Sequence, residues 1–365
     1  MHMVLKLHGE IIDACQVETG FLHRGLEKQC ELHSWHAALF YADHLDPEGA
    51  VFSELVLCLA VEEIAGIMVP ERAQSIRLVL VELGRISSHL AFMARMARSV
   101  GSETIVHYVL RDRERILDLF ELLTGARVSL NFLRYGGVKG DVTDGFIERV
   151  LDVCDLIRFR MKEYNDIFTF NAIFLKRTLG VAPLSVELIE QAGITGPNAR
   201  ASGVREDSRK GSPLYQALEF DIPSGKSEDF FAQGWRGLLA RTSKGCVGDV
   251  HDRFLVRLRE MTQSIEILRQ LVAQMPLGVY QNTSIHIDRN YPIPPGESYQ
   301  RMESARGRLG CHVVSDGQNF PGRIQFSTPT RASLWALPQL VRGIRIEDLP
   351  VVLASLDLSI AEADR

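Results

Sequence analysis

From Ala50 onward, apolar residues recur every three or four positions. Ile76, Leu80, Leu83, Ile86, Leu90, Met93 and Ala97 define one face of a single long helix. Its start is marked by Val69-Pro70-Glu71, with proline at a first-turn position and an acid beside it, and its end by Gly101. The same period predicts helices over 106–123, stopped at Thr124-Gly125, over 143–168, over 186–192 before Gly193, and over 253–275. Two shorter ones follow at 334–340 and 346–356. Alternation with a period of two is confined to the ends of the chain. Residues 3–12 read as two short strands joined at His8-Gly9, and 308–330 as strands turning at Ser315-Asp316-Gly317. The expected fold is mainly α, with small β-sheets from both ends of the chain. It divides into N-terminal strands and a loop (1–49), a helical core (50–200), and a last part (201–365). That last part is a charged loop region, a helix, and a strand/helix region packing on the core. Residues 224–248, rich in Gly, Ser and Lys, read as an insertion, and the proline-rich 276–296 as extended chain.

Composition narrows the function classes. The 365 residues are 46% hydrophobic, enough to bury a sizeable core. A net charge of −5 gives no basic footprint for nucleic acid. The most apolar runs, 51–67 and 349–360, are broken by Glu54, Glu62, Glu63 and Asp357, so neither reads as a membrane span. The expected compartment is the cytoplasm, and other chains must hold the protein at any membrane. Cys15, Cys30, Cys58, Cys154, Cys246 and Cys311 form no C-x-x-C pair, and most of them read as buried, inert thiols.

Charged positions carry the remaining signal. Glu82, Arg85 and His89 share one stripe of the long helix, with Arg77 and Arg95 elsewhere on it. The stripe reads either as a solvated face, with ion pairs worth about 0.3–0.5 kcal/mol each, or as charges buried against a partner subunit. Breaking such a buried pair costs about 3–5 kcal/mol. The run Arg111-Asp112-Arg113-Glu114-Arg115 reads as a solvated helix surface. Gly136-Gly137 reads as a turn. His33, His36 and His44, with Asp43 and Asp46 nearby, leave three readings open: a metal site, a proton-handling pair, or ordinary histidines.

Several blocks are more specific than their chemistry alone. Gly20 to Lys28 matches G-[YF]-L-H-[RT]-G-[IFL]-E-K. Val69 to Leu90 carries V-P-x-R-A-x-x-I-R and E-L-x-R-[IL]-[AS]-S-H-L, and Arg134 to Lys139 carries R-x-G-G-V-[KR]. Thr195-Gly196 and Arg200 to Val204 match T-G-x-x-x-R-A-S-G-V. Glu303 to Gly317 matches E-S-x-R-G-x-L-G-x-x-x-V-S-D-G, and Ser355 to Arg365 resembles S-L-D-P-x-x-x-x-x-D-R, with Leu358 in place of proline. In these blocks the chain resembles the D-subunit family of respiratory NADH:quinone oxidoreductase (complex I), a relative of the nickel-iron hydrogenase large subunit.

The resemblance implies a hydrogenase-large-subunit-like fold in the peripheral arm of complex I, at the cytoplasmic face of the membrane. The implied partners are the B and C subunits of complex I and the membrane arm. Quinone is the implied substrate. No cofactor is expected on this chain; the iron–sulfur clusters and NADH belong to partner subunits. Quinone-cavity candidates are His23, Arg24, His44 and Asp46. Cluster-facing or subunit-interface candidates are Arg77, Glu82, Arg85, His89 and Arg134. Asp46, Gly49, Ser359 and Glu362 fall where hydrogenases place metal-binding cysteines, so no thiolate is expected there. The quinone site also departs from the family pattern. The family's P-S-T-H-G loop precedes the first residues of this sequence, and the R-x-D-Y segment reads His44-Leu45-Asp46-Pro47, without the tyrosine hydroxyl. A family aspartate falls at Ser99 and a family histidine at Ser129. These departures motivate an alternative: a structural paralogue that keeps fold and assembly but has lost quinone reduction.

Overall fold

Two strands open the chain, β1 (His2–His8) and β2 (Ile11–Glu18). They pair antiparallel around Gly9, whose φ of 63° suits a residue without Cβ. The second strand runs six residues past the predicted limit. The hairpin is pinned to the far end of the chain: Ile12 N–H donates to Ile344 O at 2.9 Å, and Gly343 N–H donates to Ile12 O at 2.8 Å. The computed structural model describes residues 1–225, 247–282 and 290–365. The predicted insertion at 224–248 lies almost wholly outside the described residues, as does Cys246.

The helices follow in order: α1 (Leu26–Leu32), α2 (Trp35–Asp43), α3 (Ala50–Ala65), α4 (Glu71–Ser99) and α5 (Glu103–Thr124). A two-residue ladder, β3 (Leu133–Arg134) with β4 (Gly137–Val138), closes around Gly136, as the paired glycines predict. Then come α6 (Phe146–Tyr164), continued by a π-turn over Asn165–Thr169, α7 (Ala172–Thr178), α8 (Val186–Ala192), α9 (Gly196–Ala201) and α10 (Val250–Ala273). The C-terminal part holds a three-stranded antiparallel sheet, β5 (Gly296–Glu303), β6 (Arg308–Ser315) and β7 (Arg323–Ser327). It ends in α11 (Pro329–Leu340), α12 (Leu349–Leu356) and the short α13 (Ile360–Ala363). The expected mainly α fold with small sheets at both ends is what forms. Alternation alone misses β5, which lies between the proline-rich stretch and the first strand predicted there, and periodicity misses the short helices α7 and α9.

Helix α4 is the axis. Ile76, Leu80, Leu83, Ile86, Leu90, Met93 and Ala97 are all buried, and the larger of these side chains each contribute about 1.5–3 kcal/mol of burial. The opposite face is buried too, against α3, α5, α10 and α12. Gly84 permits the closest approach: a Cβ there would stand 2.9 Å from Val51 Cγ1 of α3. A mid-helix glycine costs about 1 kcal/mol, and here it allows the two helices to touch. With α4 enclosed on all sides, the charged residues along its middle cannot lie in water.

Candidate functional site

Three segments distant in sequence meet at one edge of the core. The first is the loop before α1. Gly20 N–H and Leu22 N–H donate to the Asp364 carboxylate at 2.8 and 2.9 Å. His23 Nδ1–H donates to the Asp364 carbonyl at 2.7 Å. Arg24 reaches the His44 carbonyl. The second segment is the break between α2 and α3, which carries His44, Asp46 and Glu48. The third is the tail after α12, where Asp357 caps the helix in a left-handed conformation. All four sequence-predicted cavity residues, His23, Arg24, His44 and Asp46, are therefore gathered at this edge.

At its centre lies Arg306, a residue outside the candidates that the sequence suggests. Its guanidinium bonds to the Asp46 carboxylate, to Glu48 at 2.7 Å, and to the Asp357 carbonyl at 3.0 Å. Arg95 bridges Glu48 at 2.6 Å and Asp357 at 2.5 Å. Ser359 Oγ–H donates to Asp46 at 3.0 Å, and Glu362 accepts from Thr330 N–H at 3.0 Å. Gly49 leaves room for this arrangement, since a Cβ there would fall 2.6 Å from Asp46 Oδ2 and displace that carboxylate. Asp46, Gly49, Ser359 and Glu362, the positions equated by resemblance with metal-binding cysteines, thus surround a guanidinium. The space left beside Asp46, Phe52, Arg306 and Glu362 is about 10 Å³, no more than one water needs. A positive side chain fills the place and balances the carboxylates.

The electrostatics of this cluster are graded. Burial raises the Asp46 carboxyl above its ordinary range, although Arg306 opposes the shift. Burial and the Asp46 charge push Glu362 up to about 7. Burial works against Asp357 as well, but Arg306, Arg95 and Arg257 hold it well below the usual carboxylate range. Glu48 is also lowered: burial opposes this, and Arg306 and Arg95 prevail.

The histidines near the site are oriented for hydrogen bonding. His44 Nδ1 lies 2.8 Å from the Phe40 carbonyl, and His33 Nδ1 lies 2.8 Å from the Gln29 carbonyl. A carbonyl only accepts, so each Nδ1 carries a proton, and Nε2 is the nitrogen through which the ring can take up and pass on another. Asp43 does not join them. It is buried against Glu54, and burial together with the Asp43 charge raises the Glu54 carboxyl far above its usual range. Among the described residues, no three His, Cys, Asp or Glu side chains stand close enough to hold a metal ion. The metal reading of the 33–46 cluster is therefore not supported by the geometry.

The charged stripe of α4 needs the largest correction. Arg77, Glu82, Arg85 and His89 are at most 1% exposed, so they form neither a solvated face nor a surface for a partner. Their partners come from this chain. Arg77 pairs with Glu62 at 2.5 Å. Glu82 accepts from Tyr215 Oη–H and Ser264 Oγ–H, each at 2.6 Å, and Arg85 lies 3.3 Å away. Arg85 also donates to the carbonyls of Glu303 and Ser304 at 2.7 and 2.9 Å. His89 Nε2 is 3.0 Å from Glu260, which Arg200 also binds at 2.9 Å, while Arg200 reaches Glu303 at 2.7 Å. Burial holds the His89 imidazole below its usual value and therefore neutral, and leaves its Nδ1 without a partner. Arg134, the fifth candidate, is half-buried and bonds to its own loop at Asn131 and Leu133. In the run on α5, Asp112 turns inward to the Tyr164 hydroxyl, so that surface is not solvated throughout.

The four thiols Cys30, Cys58, Cys154 and Cys311 are buried, and burial pushes each of them up, Cys30 and Cys154 to about 12. A cleft of about 740 Å³ bordered by Arg205, Phe220, Leu258 and Thr262 contains none of the candidate residues. No helix among the described residues is long and apolar enough to cross a membrane.

Comparison with known proteins bears on the whole chain. The description "Respiratory-chain NADH dehydrogenase, 49 Kd subunit" matches residues 99–289 and 281–365. A protein of Desulforamulus reducens, named as the D subunit of NADH-quinone oxidoreductase, is 37% identical over 364 residues, covering 99% of this chain and 93% of the relative. One from Bacillus cereus with the same name is 35% identical, with the same coverage. One from Geobacter metallireducens is 35% identical over 389 aligned positions, covering 100% of this chain and 95% of the relative. Identity at this level, over almost the entire length of both partners, means that the chain belongs to the family of the 49 Kd subunit of respiratory-chain NADH dehydrogenase.

Proposed function

We propose that this chain is the polypeptide of an NADH:quinone oxidoreductase that walls the quinone-reduction cavity together with a cluster-bearing neighbour, the B subunit. The observation that carries this reading is the meeting of the Gly20–His23 loop, the α2–α3 break and the C-terminal tail, in a chain matched end to end by D subunits of that enzyme. On this reading the complex also includes the C subunit and a membrane arm. It holds the chain peripherally at the cytoplasmic face of the membrane and binds NADH on another polypeptide. Arg134, half-buried, remains the interface candidate.

Reducing a quinone to a quinol takes two electrons and two protons. The neighbour's iron–sulfur cluster supplies the electrons. This chain supplies an apolar lip and hydrogen bonds. Phe21, Leu22 and Phe40 are exposed around the half-buried His44 and the exposed His23. With Nδ1 of each ring engaged by a carbonyl, Nε2 of His23 or His44 is the atom that can carry a proton to a quinone oxygen. A hydrogen bond to a developing charge is worth about 1.5–3 kcal/mol, or roughly ten- to hundredfold in rate.

A second reading is favoured by one observation. Pro47 is exposed at the position where the family resemblance calls for a tyrosine, and it offers no hydroxyl. On that reading the chain is a structural paralogue without quinone reduction. Inhibitor-sensitive quinone reduction by the purified complex separates the two. The cavity reading expects turnover in the parent complex and a drop of about tenfold or more in His44→Phe, with polypeptide composition and NADH oxidation by ferricyanide unchanged. A parent complex that assembles but reduces no quinone gives the case to the structural paralogue.

A further inference from the structure

We propose that the cleft between the outward face of the C-terminal sheet and helix α11 is a docking site for an acidic segment of a neighbouring polypeptide. The cleft encloses about 530 Å³, and its lining includes three arginines, Arg308, Arg331 and Arg365, and no carboxylate side chain. Arg308 and Arg365 each have an anionic partner, Glu206 at 3.1 Å and Glu27 at 2.8 Å. Arg331 has no ion pair among the described residues. Burial and repulsion from Arg331 and Arg323 draw the Arg365 guanidinium below its usual value despite Glu27. Of the three lining arginines, Arg331 is thus the one without a carboxylate partner among the described residues.

Two aromatic rings give the cleft its second property. Trp335 is 62% exposed, although its neighbours Leu334, Ala336 and Leu337 on α11 are buried. Tyr299 on β5 is 54% exposed and lies across Gly310 of β6, where a Cβ would come 2.3 Å from its hydroxyl. The register pairs Tyr299 with His312 and His312 with Gln325, so the ring sits on the outward face of the sheet. Glycine at 310 is thus what allows the tyrosine to form the floor of the cleft. Exposed Trp, Tyr and Arg together form the composition of an interface centre.

The occupant follows from both properties. A small inorganic anion would answer the arginines and leave both rings in water. A flat anionic membrane fits a recess poorly, and Glu297, two positions from Tyr299 on the same face, is engaged by His312 at 2.7 Å and does not line the cleft. An extended segment bearing carboxylates with an apolar side chain between them satisfies arginines and rings together. The inference rests on the reading that this chain works within an assembly.

The test places the photo-crosslinking residue p-benzoylphenylalanine at position 335 of the full-length chain. Cells and the isolated complex are irradiated, and the attached peptide is identified by mass spectrometry. The expected product joins position 335 to one acid-rich segment of another polypeptide. Its yield falls at least about fivefold in Arg308→Glu/Arg331→Glu, a variant whose melting temperature matches that of the parent. It recovers when the acids of the identified segment are changed to lysine. Attachment to lipid, to a neutral or basic segment, or to nothing overturns the proposal, and so does a yield indifferent to the charge reversal. If the quinone-cavity reading is wrong, quinone reduction fails while the cross-link stays intact; if this proposal is wrong, the reverse holds.

Discussion

Around Arg200, deep between α4, α9 and α10, four carboxylates (Glu82, Asp207, Glu260, Glu303) face three arginines (Arg85, Arg200, Arg209). Around Arg306, where the C-terminal tail meets the α2–α3 break, four carboxylates (Asp46, Glu48, Asp357, Glu362) again face three arginines (Arg95, Arg257, Arg306). The charge ratio is the same, but the surplus acid is handled differently. In the core cluster, hydroxyls and a neutral imidazole supply the missing donors. Tyr215 and Ser264 serve Glu82, His89 serves Glu260, and both carboxyls lie below their usual range against the pull of burial. In the edge cluster Glu362 has one backbone donor and is pushed up to about 7. Glu82 and Glu260 therefore stay ionised in the core, whereas Glu362 at the edge, pushed up to about 7, exchanges its proton near neutral pH. Of the two, only the edge cluster adjoins the residues proposed to serve quinone.

The largest effect tests the core. Arg200→Met leaves Glu260 and Glu303 without their shared cation in a site fully removed from water. A loss of about 4–5 kcal/mol is expected, enough to unfold much of the chain at 37 °C. Urea melts of the purified chain measure it. A loss under about 1 kcal/mol would mean the core network does not carry the charges as described. Arg306→Met makes the matching cut at the edge and should cost about 3 kcal/mol at pH 8. The released acids then gain protons more readily in the folded state than in the unfolded one, so the deficit shrinks as pH falls. A deficit constant from pH 8 to pH 5 would erase the distinction between the clusters.

Glu362→Gln isolates the proton. The folded-state value of about 7 lies above the ordinary carboxyl value. The folded chain therefore holds this proton more tightly than the unfolded one does. That contribution is complete below pH ~4.5 and is lost as pH rises through about 7. A glutamine retains the neutral form. The variant should match the parent at pH ~4.5 and exceed it by about 1–3 kcal/mol at pH 8. Parallel stability curves across that range would place the titration elsewhere.

How much of this is legible in the sequence depends on the range over which each feature is encoded. Helix periods are local, and α4, α5, α8 and α10 fall within a few residues of where the periodicity puts them. The stripe of Glu82, Arg85 and His89 follows from the same local rule, but both environments it suggested, solvent and a partner's surface, are wrong. Spacing shows which residues share a face and not what covers it. Here the cover is Tyr215, Glu260 and Ser264, more than a hundred residues away. Arg306 lies in plain view inside E-S-x-R-G, and Asp357 inside S-L-D. Their signal is a charge set among Gly and Ser in a block too specific for a loop. Gly307 closes the first of these blocks and Gly196 belongs to T-G-x-x-x-R-A-S-G-V: a Cβ on Gly196 would fall 2.3 Å from Gly307 Cα, so neither position tolerates a side chain where the two segments cross.

The smallest effect probes how far the edge cluster depends on a single neutral donor. Ser359 Oγ–H donates to Asp46 at 3.0 Å and helps hold that carboxyl down, while burial pushes it up. Ser359→Ala removes the donor and leaves Arg306 in place, so the fold survives. The bond stabilises the ionised carboxylate more than the neutral acid. Its loss, about 1 kcal/mol at pH 8, should therefore diminish as Asp46 takes up a proton on acidification. The measurement is a pair of urea melts at pH 8 and pH 5 beside the parent. A core counterpart, Ser264→Ala, removes a donor from Glu82, which stays ionised at both pH values, and its cost should not change between them. If the two serines behave alike, the edge cluster is simply another piece of the buried scaffold, and the contrast with the core dissolves.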